Sequence, residues 1–167
     1  AILYGQKIQR GEKAGYVGTF LKQLKQIASS CSEKNIKVVS NAGGLNPKSM
    51  AEEVKNILDS EGLNLKVAYI DGDDFMDKFD ELKKNGDELK NLDTGISLFK
   101  QNLQAVSANY YLGCWGIKQA LDEGADIVIC PRVTDAALVM GPAAWKFNWS
   151  RDDYDKLAGS LAAGHII

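Results

Sequence analysis

The residues able to do chemistry gather in four short segments, most of them directly behind a run that reads as a strand. The first is Ser40-Asn41-Ala42-Gly43-Gly44-Leu45-Asn46-Pro47. Paired glycines let a backbone come close to a ligand, and the helix expected after Asn46 would present its positive dipole end to an anion. The same residues also suit a plain strand-to-helix turn with Asn46 as cap, and they form neither G-x-G-x-x-G nor a Walker loop. The second is Asp71-Gly72-Asp73-Asp74. Its three carboxylates could hold Mg²⁺ or a ribose hydroxyl, or one of them could act as a base. Alternatively, Asp73 or Asp74 caps the next helix and the rest are solvated. The third is Ser107-Ala108-Asn109-Tyr110-Tyr111-Leu112-Gly113, short polar side chains beside two aromatics, a pattern suited to a polar group flanked by apolar surface. The fourth is Cys130-Pro131-Arg132-Val133-Thr134-Asp135. An arginine behind a buried strand needs an anion, supplied either by Asp135 or by a ligand phosphate or carboxylate. Arg132 is the strongest single candidate.

His165 could be a general base, the usual role of an imidazole in acid–base chemistry, although nothing nearby in the sequence fixes its partners. It is the only histidine, which with three cysteines is too few for an ordinary zinc site, and no metal is assigned. There is no G-x-S-x-G elbow for a nucleophilic serine. Trp145, Phe147 and Trp149 read as core or as a contact with another domain or subunit.

These segments need elements to position them, and the chain alternates helical and strand patterns. Tyr16 to Cys31 carries a helical apolar stripe closed by Asn35, and Ile36 to Ser40 is a short β-branched run. Pro47 opens a helix that runs to Glu61 and stops at Gly62. Leu65 to Ile70 is a second strand, and Phe75 to Lys84 reads as a helix. Asn85 to Gln101 is polar and weakly patterned, and Gln104 to Ser107 is a brief strand candidate. Cys114 to Glu123 is a helix stopped by Gly124, Ala125 to Cys130 the clearest strand, Thr134 to Met140 a helix ended by Gly141-Pro142, and Arg151 to Ala163 a last helix. The expected fold is α/β: a single domain with a parallel, Rossmann-like three-layer sheet, helices on both faces and right-handed crossovers. The four segments should then meet on one rim, at the carboxyl ends of the strands.

Composition narrows the function classes. Hydrophobic residues at 45% and charged residues at 25% match ordinary globular domains, which sets disorder and coiled coil aside. With 20 Lys+Arg against 22 Asp+Glu, the formal charge of −2 argues against a nucleic-acid binder or a protein of anionic membranes. No apolar run approaches the roughly 20 residues of a bilayer span. The opening Ala1-Ile2-Leu3-Tyr4, followed by Lys7 and Arg10, shows no signal peptide. Cys31, Cys114 and Cys130 are odd in number and far apart, as expected of reduced thiols in a cytoplasmic protein. Without an initiator Met, the chain is expected to start inside a longer protein or after processing.

Taken in order, Asn41-Ala-Gly-Gly-Leu-Asn-Pro47, Gly72-Asp-Asp74, Ser107-Ala-Asn109, Tyr111-Leu-Gly113, Gly124-Ala-Asp-Ile-Val128, Arg132-Val133 with Asp135, Asp153-Tyr-Asp155, Leu157-Ala-Gly159 and Ala163-Gly-His165 resemble the acyclic terpene utilisation (AtuA-like) family. The resemblance spans roughly residues 14 to 167 and is weakest between 86 and 104. It implies a metabolic protein encoded beside acyl-CoA carboxylases in the breakdown of citronellol- and geraniol-type terpenes, with no catalytic residue to carry over. The family-like positions are Asn41, Gly43, Gly44, Asn46, Asp73, Asp74, Ser107, Asn109, Arg132, Asp135 and His165, and all but His165 form the expected ligand-binding set. Three departures stand out: the glycine-rich opening of the family is missing, Pro131 replaces a glycine, and relatives continue beyond Ile167, so the chain reads as a fragment of a longer AtuA-like protein. The expected function is binding of a polar or anionic acyl compound, for example an acyl-CoA, with the reaction open and a lyase or hydratase as one candidate. The alternative is a non-catalytic subunit or scaffold for a carboxylase-type enzyme. A homo-oligomer or such a complex is expected, and the cofactor is left open.

Overall fold

The structure, a computed structural model, describes residues 14–101 and 105–167. The opening residues read above for a signal peptide lie outside the described residues, as does Gln104 of the brief strand candidate. The fold is mixed α/β, with an open sheet of three parallel strands and six α-helices among the described residues. It divides into two compact units, residues 72–110 forming one and the residues on either side of them the other.

In the larger unit the strands are β1 (Val38–Ser40), β2 (Val67–Tyr69) and β3 (Ile127–Ile129), in the order β1-β3-β2. Val39 and Ala68 both pair with Val128. The central strand is buried throughout, and its pleat sends alternate side chains to opposite faces. Ile127 and Ile129 join a cluster with Leu24 and Ala28 of α1 (Thr19–Glu33) and Met50, Val54 and Leu58 of α2 (Pro47–Ser60). Val128 and Cys130 join another, with residues of two later helices described below. Burying each of these large side chains is worth about 1.5–3 kcal/mol.

Local sequence explains where most elements begin and end. Asn46 caps α2 by accepting from the Ser49 N–H at 3.3 Å, and Pro47 follows at the first helical position. The chain turns out of α1 at Asn35, with φ +51°, and out of α2 at Gly62, with φ +68°. The helix α1 begins later than its apolar stripe does, at Thr19 rather than Tyr16.

In the unit of residues 72–110, the expected helix from Phe75 divides into a 3₁₀ turn, Met76–Lys78, and the short α3, Phe79–Lys84. Phe79 meets Phe99 edge to face, with centroids 5.3 Å apart, and Phe75 stacks on Tyr110 at 4.3 Å. Residues 105–107 are not a strand, which corrects the expectation for that run. Short ladder contacts close the neck of this unit instead. The Tyr110 N–H donates to the Asp73 carbonyl at 2.7 Å, the Phe75 N–H donates to that of Ala108 at 3.0 Å, and Asp74 faces Asn109 in an antiparallel bridge.

Back in the larger unit, α4 (Trp115–Asp122) supplies Ile117, Ala120 and Leu121 to the second cluster and ends before Gly124, whose φ is +88°. The helix α5 (Ala137–Lys146) contains Gly141-Pro142 instead of stopping there. Pro142 removes one helical hydrogen bond, a loss of roughly 3 kcal/mol in a helix interior. Packing outweighs it, because Ala137, Gly141 and Ala144 are all buried. Gly141 is a packing residue, since a Cβ there would lie 2.6 Å from Ile117. The last helix, α6, spans Tyr154–Ile166.

One side chain ties the amino ends of all three strands together. Asp126, just ahead of β3, accepts from Lys37 Nζ at 2.7 Å and from the Lys66 N–H at 2.8 Å. Its own carbonyl accepts from the Val38 N–H, and its N–H donates to the Lys66 carbonyl. Burial alone would raise the Asp126 pKa, but the Lys37 and Lys66 hydrogen bonds and charges outweigh it and hold the carboxyl below its ordinary range. A depressed folded pKa gives stability that is complete above the unfolded value of about 4 and is lost as pH falls through the folded value. Asp126→Asn should therefore destabilise the protein by about 1–3 kcal/mol at pH 7 in urea unfolding. The gap to the parent should close when the unfolding is repeated below pH 4.

Candidate functional site

Two connections leave the carboxyl ends of neighbouring strands and part to opposite sides of the sheet. Behind β1, residues 41–46 lead into α2, which packs with Ile127 and Ile129. Behind β3, residues 130–136 lead into α5, whose Ala137, Leu138 and Met140 pack with Val128 and Cys130. Neighbouring parallel strands whose following helices diverge in this way are the position at which α/β sheets in general can hold ligands.

At the floor of that crevice the two connections touch. The Cys130 N–H donates to the Ser40 carbonyl at 2.7 Å, and a Cβ on Gly43 would stand 2.5 Å from the Cys130 carbonyl oxygen and 2.8 Å from Pro47 Cβ. Gly43 is glycine because protein backbone already occupies the space beside it. Gly44 is also buried and turns with φ +57°. Asn46 holds Ala14 as well as Ser49, its Nδ2 donating to the Ala14 carbonyl at 3.0 Å. Asn41 is exposed, and its carbonyl closes the turn by accepting from the Gly44 N–H.

The third connection of this unit runs beside the second. Leu112 bridges Val133 in parallel, its N–H donating to the Arg132 carbonyl at 3.1 Å and its carbonyl accepting from the Thr134 N–H at 2.9 Å. This places Tyr111 next to Arg132. The exposed guanidinium lies 4.7 Å from the centre of the Tyr111 ring and donates to the Tyr111 hydroxyl. Among the described residues no ion pair joins Arg132 to Asp135, and the arginine is held by an aromatic ring instead. Asp135 is itself exposed. His165 is exposed in the last turn of α6, where the preceding Gly164 packs so tightly on Ala136 that a Cβ would lie 2.8 Å from its Cα.

Within residues 72–110 the structure brings together Asp73 and Asn109. Asp73 is 5% exposed and accepts from Asn109 Nδ2 at 2.9 Å. Asp74 is exposed and accepts from the Met76 N–H at 3.0 Å in a local turn, but the caps of the 3₁₀ turn and of α3 are Phe75 and Lys78, neither with a side-chain cap bond, so the aspartates do not cap a helix here. Ser107 is exposed. Among the described residues no group of three or more His, Cys, Asp or Glu side chains could hold a metal ion. No described helix is long and apolar enough to cross a membrane.

Sequence reasoning missed two partners here. Tyr111 was one of two adjacent tyrosines with no sign of which would meet Arg132. Asp126 carried no signal beyond its place at the start of an apolar strand. The cysteines are all buried and free, and burial pushes the Cys130 thiol up to about 12, so it sits in the core as a neutral small hydrophobe. Trp145 is half-buried in the second cluster, whereas Phe147 is 65% exposed and stacks on Trp149 at 5.5 Å.

The family model described as "Acyclic terpene utilisation family protein AtuA" matches residues 1–167. No curated protein and no solved structure matches the chain.

The contact at the crevice floor can be measured. Gly43→Ala should lower stability by about 1–3 kcal/mol, because neither the Cys130 carbonyl nor the Pro47 ring can step aside cheaply. Gly113→Ala, where nothing lies within 4 Å of the new methyl, should stay within about 0.5 kcal/mol of the parent in the same urea titration.

Proposed function

The chain belongs to the acyclic terpene utilisation family AtuA, and on that premise we propose that it binds a polar or anionic acyl compound, an acyl-CoA thioester being the leading candidate. In this Rossmann-like reading of the larger unit, the ligand lies along the carboxyl edge of the sheet. Its negative group meets Arg132, and the connection at Asn41–Asn46 forms the opposite wall. The observation that carries the reading is Arg132 itself: exposed, braced on Tyr111 and without a carboxylate partner among the described residues. A guanidinium braced on a ring has its remaining N–H groups free to point outward, which suits phosphate and carboxylate oxygens. The exposed face of Tyr111 offers apolar surface for an acyl chain. Asp135 would set the rim of the site and repel a second anion. The polar set Asp73, Asp74, Ser107 and Asn109 is a separate candidate within residues 72–110. The reading is of a cytoplasmic protein, with which three free buried thiols accord.

The reaction class follows from the ligand once it is known. A lyase or hydratase acting beside the thioester is the chemistry that this arrangement would serve by orienting the acyl group, and no catalytic residue is assigned. A second reading, a non-catalytic subunit of a carboxylase-type enzyme, is favoured by one observation, the exposed Phe147 stacked on Trp149.

Isothermal titration with free CoA, short and branched acyl-CoA thioesters, and the matching free acids tests the first reading. At least one anionic acyl compound should bind, and Arg132→Ala should weaken it about 10- to 100-fold, the equivalent of one charge-assisted contact. Arg151→Ala should leave affinity unchanged, because that guanidinium stacks on Trp115 instead. Equal affinity in the parent and Arg132→Ala would remove Arg132 from the site. Absence of binding across the panel, together with stable co-purification of a carboxylase-type partner, would favour the second reading.

A further inference from the structure

Residues 72–110 lack what holds the larger unit together. There, Leu24, Met50 and Leu58 are buried on one side of the sheet and Ile117 and Leu121 on the other. Within residues 72–110 the only described residues buried to this degree are polar, Asp73 at 5% exposure and Ser97 at 4%. Phe75, Phe79 and Phe99 touch in a row but are only half-buried, and Leu92 stands fully in solvent. Below roughly 40 residues, a segment usually needs a disulfide, a metal or a partner to stay folded. This one has no cysteine, and among the described residues it has no group of side chains that could hold a metal ion.

Polar contacts close it instead. At the neck the backbone ladder between residues 73–75 and 108–110 is backed by the Asn109 side chain, which donates to the buried Asp73 carboxylate at 2.9 Å. Further in, the Asn91 N–H donates to the Ile96 carbonyl at 3.0 Å, and the Leu98 N–H and the Ser97 hydroxyl both donate to the Glu88 carbonyl. The ion pairs of Glu88 with Lys90 and Lys100 are exposed and contribute little. Each of these bonds is replaced by one to water when it breaks, so its net contribution is small. The neck bonds also keep the two ends of the segment together, and parting them releases the loop-closure constraint on every contact inside.

Just outside the neck the chain is held again by the larger unit. The Ile70 N–H donates to the Ile129 carbonyl at 2.9 Å, and the Leu112 N–H donates to the Arg132 carbonyl at 3.1 Å. Opening that begins at the neck has a place to stop on both sides. We infer that residues 72–110 are a conformational device, a segment that unfolds and refolds as one unit while the three-stranded sheet stays folded. The moving part starts just behind β2 and ends before Tyr111, so the Tyr111–Arg132 contact lies outside it. The inference is independent of the ligand reading above.

Native-state hydrogen exchange in low urea tests it. The amides of Phe75, Asn91, Leu98 and Tyr110 should exchange through one shared opening, about 100-fold or more faster than those of Ile70 and Cys130. Their common urea dependence should be shallower than that of Cys130, because less surface is exposed. Asn109→Ala should speed all four about tenfold and leave Ile70, Leu112, Cys130 and Thr134 unchanged. Limited trypsin digestion gives a second reading, since lysines are exposed in both units. The first cuts should fall at Lys83, Lys84 or Lys90, and the nicked chain should stay in one piece on gel filtration. A urea dependence shared with Cys130 would overturn the inference, because the chain would then open only as a whole. So would a response to Asn109→Ala confined to Phe75 and Tyr110, or first cuts at Lys25 or Lys55.

Discussion

The carboxylate of Asp126 is the interaction on which the larger unit depends. Its three strands are only three residues long, so few ladder bonds hold them in register, and parallel pairing is slightly weaker per residue than antiparallel. Asp126 stands at the start of the central strand and reaches both outer ones, taking Lys37 on one side and the Lys66 N–H on the other. Fixing the amino ends also fixes the carboxyl ends, because three residues leave no length in which the register could drift. The crevice between the connections behind β1 and β3 is therefore set from the far end of the sheet, by a residue that no ligand would touch.

That arrangement bears on how much was legible in the sequence. The elements of the larger unit were, because each carries its own punctuation: Asn46-Pro47 opens α2, and Gly62 and Gly124 stand where positive φ ends a helix. Ile127 to Ile129 is apolar throughout because both faces of β3 are covered. Residues 72–110 were poorly legible for the opposite reason. None of the fully buried apolar side chains among the described residues lies there, so neither a helical nor a strand period is imposed on the sequence. That unit is held by aromatic edges, Asx turns such as those of Asn91, and a buried Asp73–Asn109 contact, none of which repeats at a fixed interval.

The partners that the sequence did not name share one cause. Sequence reasoning assigns partners by proximity along the chain, whereas the structure assigns them by proximity across the fold. Asp135 and a ligand anion were the two partners open to Arg132, and Tyr111 is the one the fold adds, because Leu112 runs in parallel beside Val133. Gly141-Pro142 looked like a stop, yet the glycine is required by Ile117 on another helix. Gly43 read either as room for a ligand or as part of a plain turn, and the group a Cβ there would meet is the Cys130 carbonyl. In each case the residue type was informative, and the group it answers to lay elsewhere in the sequence.

The connection that carries Arg132 is accordingly framed at both ends and open in the middle. Its first residues are locked to Leu112 by two backbone hydrogen bonds, and its last, Ala136, is pressed by Gly164 of α6. The side chains of Arg132, Thr134 and Asp135 are nevertheless exposed. Rigid ends with an accessible centre suit a residue that must hold a charge in one place, since a site loosened by an ångström loses much of its binding advantage.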